Sequence, residues 1–170
     1  EISACLVGSE MCIRDRLDEM LSAANLAPSW KNSQTPRFYV ATGEKSKNAV
    51  REALPEFNRK NSENASAYIV TTVVLNRSGF DKDGTAVTEI GNGWGYYDLG
   101  LNNMALLLKA TELGISTLVM GIRDGEKLRK EFDIPETEAV VSVIAVGYTD
   151  SEIVRPKRKS VEDFAKFYED

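Results

Sequence analysis

Apolar residues recur at helical spacing in the first well-patterned segment of the chain. Five of them fall at positions i, i+3, i+4, i+7 and i+10, which form one face of a helix: Leu17, Met20, Leu21, Ala24 and Ala27. Pro28 ends the pattern, because proline lacks a backbone donor and its ring clashes inside a helix. The spacing predicts an amphipathic helix over 17–27.

Four later segments have the β-branched and aromatic residues typical of strands. They are RFYVA (37–41), YIVTTVVLN (68–76), ISTLVM (115–120) and AVVSVIAVGY (139–148). The second is apolar along its length, which predicts a strand buried on both faces. Helical patterns over 44–54, 96–113 and 126–132 separate the strands, and a last helix follows Ser160, which forms a capping-box pattern with Asp163. Strands interleaved with helices predict an α+β fold, an α/β sandwich in one domain.

The segment Tyr96–Leu113 differs from an ordinary amphipathic helix because apolar residues occur nearly all round it. Such a helix lies in a core or in a subunit interface. A domain of roughly 150 residues has little room to bury every face of it. The pattern therefore predicts a homodimer that hides the surplus apolar surface.

The first sixteen residues show neither a helical nor a strand period. Residues 5–16, CLVGSEMCIRDR, can be back-translated to a transposon-type sequencing adapter. We therefore expect 1–16 to be a non-native, loosely packed stretch that replaces the natural N-terminus, and 17–170 to be the genuine domain. Both cysteines, Cys5 and Cys12, lie inside that stretch, so neither a disulfide nor a cysteine-based metal site is expected.

Composition excludes several classes of function. The 170-residue chain has a net charge of −5 and no histidine. The mild negative charge argues against nucleic acid or an anionic membrane as a partner, and no apolar run approaches the roughly 18–20 residues of a membrane span. Without histidine, Ser-His-Asp catalysis and His-ligated zinc are excluded, and no metal site is expected. Difficult chemistry would therefore depend on a bound cofactor.

Several motifs occur in the order found in a known family. They are the loop formed by Ala27, Pro28, Ser29, Asn32, Ser33 and Gln34, the helix end ATELGIST, the segment VMGIRDGEKLRKEFDIPE, and VVSVIAVGY followed by RPKRKSVEDF. In this order they resemble the nitroreductase family, over 17–164. The resemblance implies a mainly antiparallel sheet flanked by helices, and an intertwined homodimer with FMN at the subunit interface.

The resemblance also implies site residues. Ring-binding residues are expected in the loop and after the third strand, where Gly121 lets the backbone approach a flat ligand: Pro28, Ser29, Asn32, Gln34, Val119, Met120 and Gly121. Three cations suit the FMN phosphate: Lys157, Arg158 and Lys159. Four aromatic residues are candidate walls of a substrate pocket: Trp30, Trp94, Tyr96 and Tyr97. The glycine-rich GNGWG (91–95) does not follow a buried strand, so it is not a dinucleotide loop and is expected to shape a lid.

The resemblance further implies an FMN-dependent oxidoreductase in the cytoplasm. It would use NADH or NADPH to reduce nitroaromatic, quinone or similar small acceptors by ping-pong hydride transfer, with no catalytic side chain. Alternatives remain open. On residue types alone, the loop also suits a capped surface turn, the basic run a solvated tail, and each aromatic a core residue. The same fold would also suit a dehalogenase, a flavin-fragmenting enzyme or a non-catalytic flavin-binding protein.

Overall fold

A computed structural model describes residues 10–150 and 154–169, with side chains from Ile13 onward. At its centre is a four-stranded antiparallel sheet in the order β1-β2-β4-β3. The strands are β1 (Pro36–Ala41), β2 (Ala67–Val74), β3 (Ser116–Met120) and β4 (Glu138–Gly147). Each boundary lies within two residues of its predicted position. The predicted α+β fold with a central antiparallel sheet is confirmed.

Six helices surround or follow the sheet in the described part of the chain. They are α1 (Glu10–Asn25), α2 (Glu44–Glu52), α3 (Glu56–Asn61), α4 (Gly93–Glu112), α5 (Gly125–Glu131) and α6 (Val161–Phe164). None of the described helices combines the length and apolarity that a bilayer span requires. Ser160 precedes α6, and its N–H donates to the Asp163 carboxylate at 3.0 Å, as the capping-box pattern predicted.

Successive residues of β2 contribute to two separate cores, one on each face of the sheet. Ile69 packs into the core under α1 and α4, whereas Tyr68 and Val70 pack into the core under α2 and α5. Seven of the eight residues of β2 are buried, so the prediction of a strand buried on both faces is confirmed. The molecule is thus a three-layer sandwich, since side chains alternate across a strand.

The α1–α4 core explains the helical period of the first segment. Leu17 and Met20 from α1 meet Leu106 from α4 against Ile144 of β4, and all four are at most 1% exposed. Burying side chains of this size stabilises a fold by about 1.5–3 kcal/mol each. The apolar face read from the sequence is therefore the face that covers the sheet.

A buried polar network closes the other core near the start of β4. Glu138 is 6% exposed, and its carboxylate accepts hydrogen bonds from the Tyr39 hydroxyl at 3.0 Å and from the Thr72 hydroxyl. Burial, together with the neighbouring Glu138 carboxylate, raises the pKa of Tyr39 to about 12. The network links β1, β2 and β4 through hydrogen bonds from the Tyr39 and Thr72 hydroxyls to one carboxylate.

The N-terminal boundary of α1 differs from its prediction. The helix begins at Glu10 rather than Leu17. Ile13 packs on the α1–α4 core, and Arg16 Nη1 donates to the Leu113 carbonyl at 2.8 Å. Ile13 and Arg16 therefore contact the fold, which differs from the expected loose packing, whereas Arg14 and Asp15 are exposed. Residues 5–9 lie outside the described residues, and the adapter origin of 5–16 stays a hypothesis.

The boundary and the environment of α4 also differ from expectation. The helix begins at Gly93, so the GNGWG segment supplies its first turn, which is tied to the end of β2 by an Asn92–Asn76 side-chain bond of 3.0 Å. One face is buried through Leu99, Leu106 and Ala110. The opposite face is exposed because the single chain covers only one side of the helix.

Candidate functional site

The segment between α1 and β1, residues 28–35, is termed the Trp30 loop. It contains one 3₁₀ turn, Trp30–Asn32, and three non-glycine residues with left-handed backbone, Lys31 (φ 46°), Asn32 (φ 55°) and Gln34 (φ 48°). Such conformations cost of order 1–3 kcal/mol each and persist only where the surroundings enforce them. The loop is therefore a strained and specified element rather than a plain connector.

A side-chain bond inside the loop supports part of this conformation. The Gln34 N–H donates to Ser29 Oγ at 3.0 Å, and the Asn32 N–H donates to the Ser29 carbonyl at the same distance. Ser29 thus accepts hydrogen bonds from two backbone amides of the loop. Because its Oγ accepts in this bond, its own hydroxyl proton remains available to a ligand.

The loop is held against α4 by a buried carboxylate. Asp98 is 2% exposed, and its two oxygens accept from the Trp30 N–H at 3.2 and 3.1 Å. The Ser78 hydroxyl also donates to this carboxylate, and the Ser33 hydroxyl donates to Ser78 Oγ at 3.2 Å. Two points of the loop are therefore connected to one carboxylate.

Three of the four predicted aromatic residues lie together next to the loop. The Trp30 and Trp94 rings are 4.7 Å apart, and the Trp94 and Tyr97 rings are 5.8 Å apart in an edge arrangement. Trp94 Nε1 donates to Thr88 Oγ1 at 2.8 Å. Tyr96 is 44% exposed, and the ring contacts of the described residues do not include it. The aromatic wall is thus formed by three residues from the loop and the first turns of α4.

A cleft of about 310 Å³ opens beside the Trp30 loop, a volume at the lower end of small-molecule sites. Its lining combines apolar side chains with hydroxyl, amide and guanidinium groups: Leu21, Asn25, Ala27, Ser29, Gln34, Pro36, Arg37, Phe38 and Asn102. Arg37 Nη1 donates to the Gln34 and Pro36 carbonyls at 2.7 and 2.8 Å. Two predicted residues, Ser29 and Gln34, therefore line one cleft.

The predicted segment Val119–Gly121, at the end of β3, does not line this cleft. Val119 is 48% exposed, Met120 is buried in the α2–α5 core, and Gly121 is exposed. A Cβ added to Gly121 would meet no atom within 4 Å. The open space above this glycine fits the close approach of a flat group, but Met120 can offer such a group only its backbone.

These two candidate segments lie on opposite edges of the sheet, next to strand ends that point toward the same end of it. Pro36 begins β1, and Met120 ends β3 opposite Val143 of β4. Three strand intervals of about 4.7–4.9 Å separate the two edges, roughly 14 Å in all. The single chain therefore does not bring the Trp30 loop and Val119–Gly121 together.

The predicted phosphate cations lie in the C-terminal segment 154–169. Lys157, Arg158 and Lys159 are all exposed, and Arg158 Nη1 donates only to the nearby Pro156 carbonyl, at 3.3 Å, among the described residues. The hydrogen bonds and ion pairs of the described residues do not connect these cations with the loop or with Val119–Gly121. The sequence predicted that these cations belong to the site. Within the single chain, the bonds of the described residues do not join them to it.

A second, larger groove lies on the surface between α1 and α4. It measures about 820 Å³ and is lined by apolar side chains such as Leu26 and Leu108 together with carboxylates such as Asp18 and Glu19. No predicted site residue lines it. Leu26, Met104 and Leu108 nearby are 85%, 53% and 59% exposed. This surface has the composition of an interface rather than of a cofactor site.

The sequence reasoning missed Asp98, Ser78, Asn102 and Arg37. One signal could have identified Asp98, because it is an acidic residue inside an otherwise apolar helix. A carboxylate on such a helix is buried only if hydrogen bonds or a cation satisfy it. The other three residues join the site only through the fold, and no local pattern distinguishes them.

Comparison with known proteins gives a consistent result. The model of the nitroreductase family matches residues 13–148. The match begins inside the 5–16 stretch, whose origin it does not decide. No curated protein matches the chain.

Three solved structures illustrate the similarity. The enone reductase CLA-ER of gut-bacterial fatty acid saturation has a TM-score of 0.82 at 20% identity, over 98% of this chain and 91% of its own. A protein of Parabacteroides distasonis ATCC 8503, named as an NADH dehydrogenase/NAD(P)H nitroreductase, has a TM-score of 0.73 at 20% identity, over 98% and 89%. An oxidoreductase containing FMN has a TM-score of 0.68 at 24% identity, over 81% and 68%. At these identities the likeness establishes the fold.

Proposed function

The chain belongs to the nitroreductase family, and from that premise we propose that it is an FMN-dependent oxidoreductase. It would take electrons from NADH or NADPH and reduce nitroaromatic, quinone or similar small acceptors. The observation that carries the proposal is the cleft beside the Trp30 loop, lined by Ser29, Gln34 and Asn102. Related structures named for FMN and for NAD(P)H support it.

Polar groups of the loop suit the pyrimidine edge of a flavin. That edge offers carbonyl and nitrogen acceptors together with one N–H. The Ser29 hydroxyl is free to donate, and the side chains of Asn32 and Gln34 each offer two donors and one acceptor. These residues would hold and orient the ring, because hydroxyl and amide groups match both kinds of partner.

Two polar side-chain atoms of the loop are buried without a partner among the described residues. They are Trp30 Nε1 and Thr35 Oγ1. Most buried polar side-chain atoms in proteins are hydrogen-bonded, because an unpaired one costs about 1–3 kcal/mol. Neither Trp30 nor Thr35 lines the cleft, so these two atoms lie behind it. The fit to FMN depends instead on the hydroxyl and amide groups of Ser29, Gln34 and Asn102, which line the cleft.

Two copies of the chain would complete the site. The Trp30 loop and Val119–Gly121 lie at opposite edges of one sheet, so a second copy is needed to place both against one ring. A symmetric dimer would form two equivalent clefts, each with the loop of one chain and Gly121 of its partner. The exposed Met104 and Leu108 of α4 supply an apolar surface for that contact.

The exposed C-terminal cations would hold the phosphate of FMN. Lys157, Arg158 and Lys159 make no ion pair among the described residues. Charge-assisted hydrogen bonds from arginine and lysine neutralise a phosphate well. In a dimer this segment would reach a cleft that it does not reach within its own chain.

The residues would contribute position and electrostatics. When bound, FMN would supply the hydride chemistry, so no nucleophile, histidine or metal is required. The loop would orient the ring, the Trp30–Trp94–Tyr97 wall would exclude water, and the donor and acceptor would occupy the same open face in turn. We further propose a cytoplasmic location, with no nucleic acid or membrane partner.

Reconstitution with FMN tests the proposal. The purified protein is expected to bind FMN, to bleach on anaerobic addition of NADH or NADPH, and to recolour with a nitroaromatic or a quinone. Asn32→Ala should weaken FMN binding, whereas Asn64→Ala, an exposed asparagine before β2, should leave it unchanged. A protein that binds FMN but is not bleached would favour a non-catalytic flavin-binding protein. Absence of FMN binding would overturn the proposal.

A further inference from the structure

The Asp98 carboxylate is buried without a cationic partner in the described part of the chain. It lies in α4 with 2% exposure, and the ion pairs of the described residues do not include it. Its hydrogen bonds come from the Trp30 N–H, at 3.2 and 3.1 Å, and from the Ser78 hydroxyl. A buried carboxylate is stable only when such donors replace water. The carboxylate and the loop therefore depend on each other.

The bonds within the Trp30 loop do not fix its place on the fold. The Ser29–Gln34 bond closes the loop on itself, and Lys31, Asn32 and Gln34 keep left-handed backbone. A strained loop holds one position only when its surroundings fix it. Asp98 accepts a hydrogen bond directly from the Trp30 N–H. It is also linked to Ser33 through Ser78, whose Oγ lies 3.2 Å from Ser33 Oγ. These bonds fix the loop at two points.

We propose that Asp98 is the positioning residue of the Trp30 loop. Through the Trp30 amide and the Ser78 hydroxyl it sets where Ser29 and Gln34 stand at the cleft and where Asn32 lies in the loop. It acts through these groups and touches no ligand itself. That the positioned side chains serve a flavin rests on the proposed function, whereas the positioning itself is a property of the ligand-free chain.

Amide hydrogen exchange of the ligand-free protein, followed by NMR, tests the positioning. In Asp98→Ala the Trp30 amide loses its acceptor, and its exchange should accelerate roughly tenfold or more, as expected for a lost bond to a charged group. Asp98→Asn keeps an oxygen for the Trp30 N–H and a donor for Ser78 Oγ, so it should restore most of the protection. Ser78→Ala, which removes one hydroxyl, should accelerate exchange at Ser33 and Trp30 with little risk to folding.

Leu106→Ala is the matched control. Leu106 is fully buried in the same helix, and its truncation weakens the fold without touching the loop bonds. Exchange at Trp30 in this variant should change by less than about threefold if that amide opens locally. Equal acceleration in Asp98→Ala and Leu106→Ala would overturn the proposal. Equal loss of protection in Asp98→Asn and Asp98→Ala would overturn it as well.

FMN titration separates this inference from the proposed function. If the wild type binds FMN, Asp98→Ala should raise the dissociation constant roughly tenfold, with recovery in Asp98→Asn. In Asp98→Ala the near-ultraviolet circular dichroism of Trp30 and the absorption spectrum of the bound flavin should also change. Leu106→Ala should change neither spectrum. Unchanged FMN affinity in Asp98→Ala would overturn the role of Asp98 in the site. A wild type that binds no FMN would sink the proposed function, and the exchange data would still decide the positioning.

Discussion

Pro36, which begins β1, and Met120, which ends β3, lie on the two opposite edges of the sheet, and both strand ends point toward the same end of it, with Met120 level with Tyr39 rather than with Pro36. The Trp30 loop precedes Pro36, and Gly121 follows Met120. The two strand edges are separated by roughly 14 Å. This separation is the structural reason for proposing a site that two chains share.

Mixed dimers test the shared site. Ser29→Phe should destroy the loop half of a cleft, and Gly121→Phe should fill the open space above the other half without disturbing the fold. Each variant alone should lose activity. Random association of the two should restore about a quarter of the sites, because half of the dimers are mixed and each mixed dimer has one intact cleft. Mixed dimers without any regained activity would contradict the shared site.

The exposed face of α4 should form the dimer contact. Met104→Glu together with Leu108→Glu places charges on residues that are 53% and 59% exposed in the single chain. Folding should survive, whereas association should fail because the interface would bury unpaired charges. Sedimentation velocity at micromolar concentration measures this. Phe57→Glu on α3, where the side chain is 75% exposed, is the control that should remain dimeric. A wild type that is monomeric with FMN bound would rule out the dimer.

The basic C-terminal segment should distinguish FMN from riboflavin, which lacks the phosphate. Arg158→Ala with Lys159→Ala should weaken FMN binding by about 1.5–3 kcal/mol per charged hydrogen bond lost. Riboflavin binding should change far less, and isothermal titration calorimetry can measure both. Lys60→Ala, an exposed cation on α3, should affect neither ligand. Equal losses for the two ligands would show that the segment acts through folding.

Alkaline pH should destabilise the fold through Tyr39. Below pH 10 the hydroxyl is protonated in both the folded and the unfolded chain, so its contribution to stability is fully present. Burial and the Glu138 carboxylate raise the folded pKa to about 12, so above pH 10 only the unfolded chain gives up the proton. The contribution is therefore lost as the pH rises from 10 towards 12.

Chemical denaturation between pH 9 and 11.5 checks this dependence. The measured quantity is the free energy of unfolding as a function of pH. In Tyr39→Phe the part of its decrease that is due to this hydroxyl should disappear. In Glu138→Gln the slope should shrink, because burial alone would then raise the pKa. If the free energy of unfolding of Tyr39→Phe falls with pH as steeply as that of the wild type, the pH dependence comes from other groups.

The first turn of α4 should tolerate no side chain where it meets β2. A Cβ on Gly95 would lie 2.8 Å from Val73 Cγ2, so Gly95→Ala should destabilise the protein by about 1–3 kcal/mol through overpacking. On Gly125 of α5 the nearest atom would be Val140 Cβ at 3.8 Å, an ordinary contact. Gly125→Ala should therefore be neutral or slightly stabilising in urea denaturation. Equal effects of the two substitutions would contradict the close contact.

Local patterns in the sequence determined the elements of the fold. The period of Leu17, Met20 and Ala24 identified α1, and the continuous apolar run of β2 identified the central strand, since these periodicities reflect which face is buried. They were less successful for the helices than for the strands. The pattern over 44–54 did not reveal the short helix α3, which follows Pro55. The glycines before Tyr96 hid the true start of α4, because glycine weakens a helical pattern without forbidding a helix.

The resemblance to a family identified Ser29 and Gln34, and the structure places both in one cleft. The assignment of this cleft to FMN stays a prediction. The sequence could not indicate that Asp98 holds Trp30, because the two residues are 68 positions apart. Nor could it show that the loop and Gly121 occupy opposite edges, since strand order is set by pairings between distant segments. Local periodicity thus determined which residues are buried, and only long-range contacts decided which residues meet.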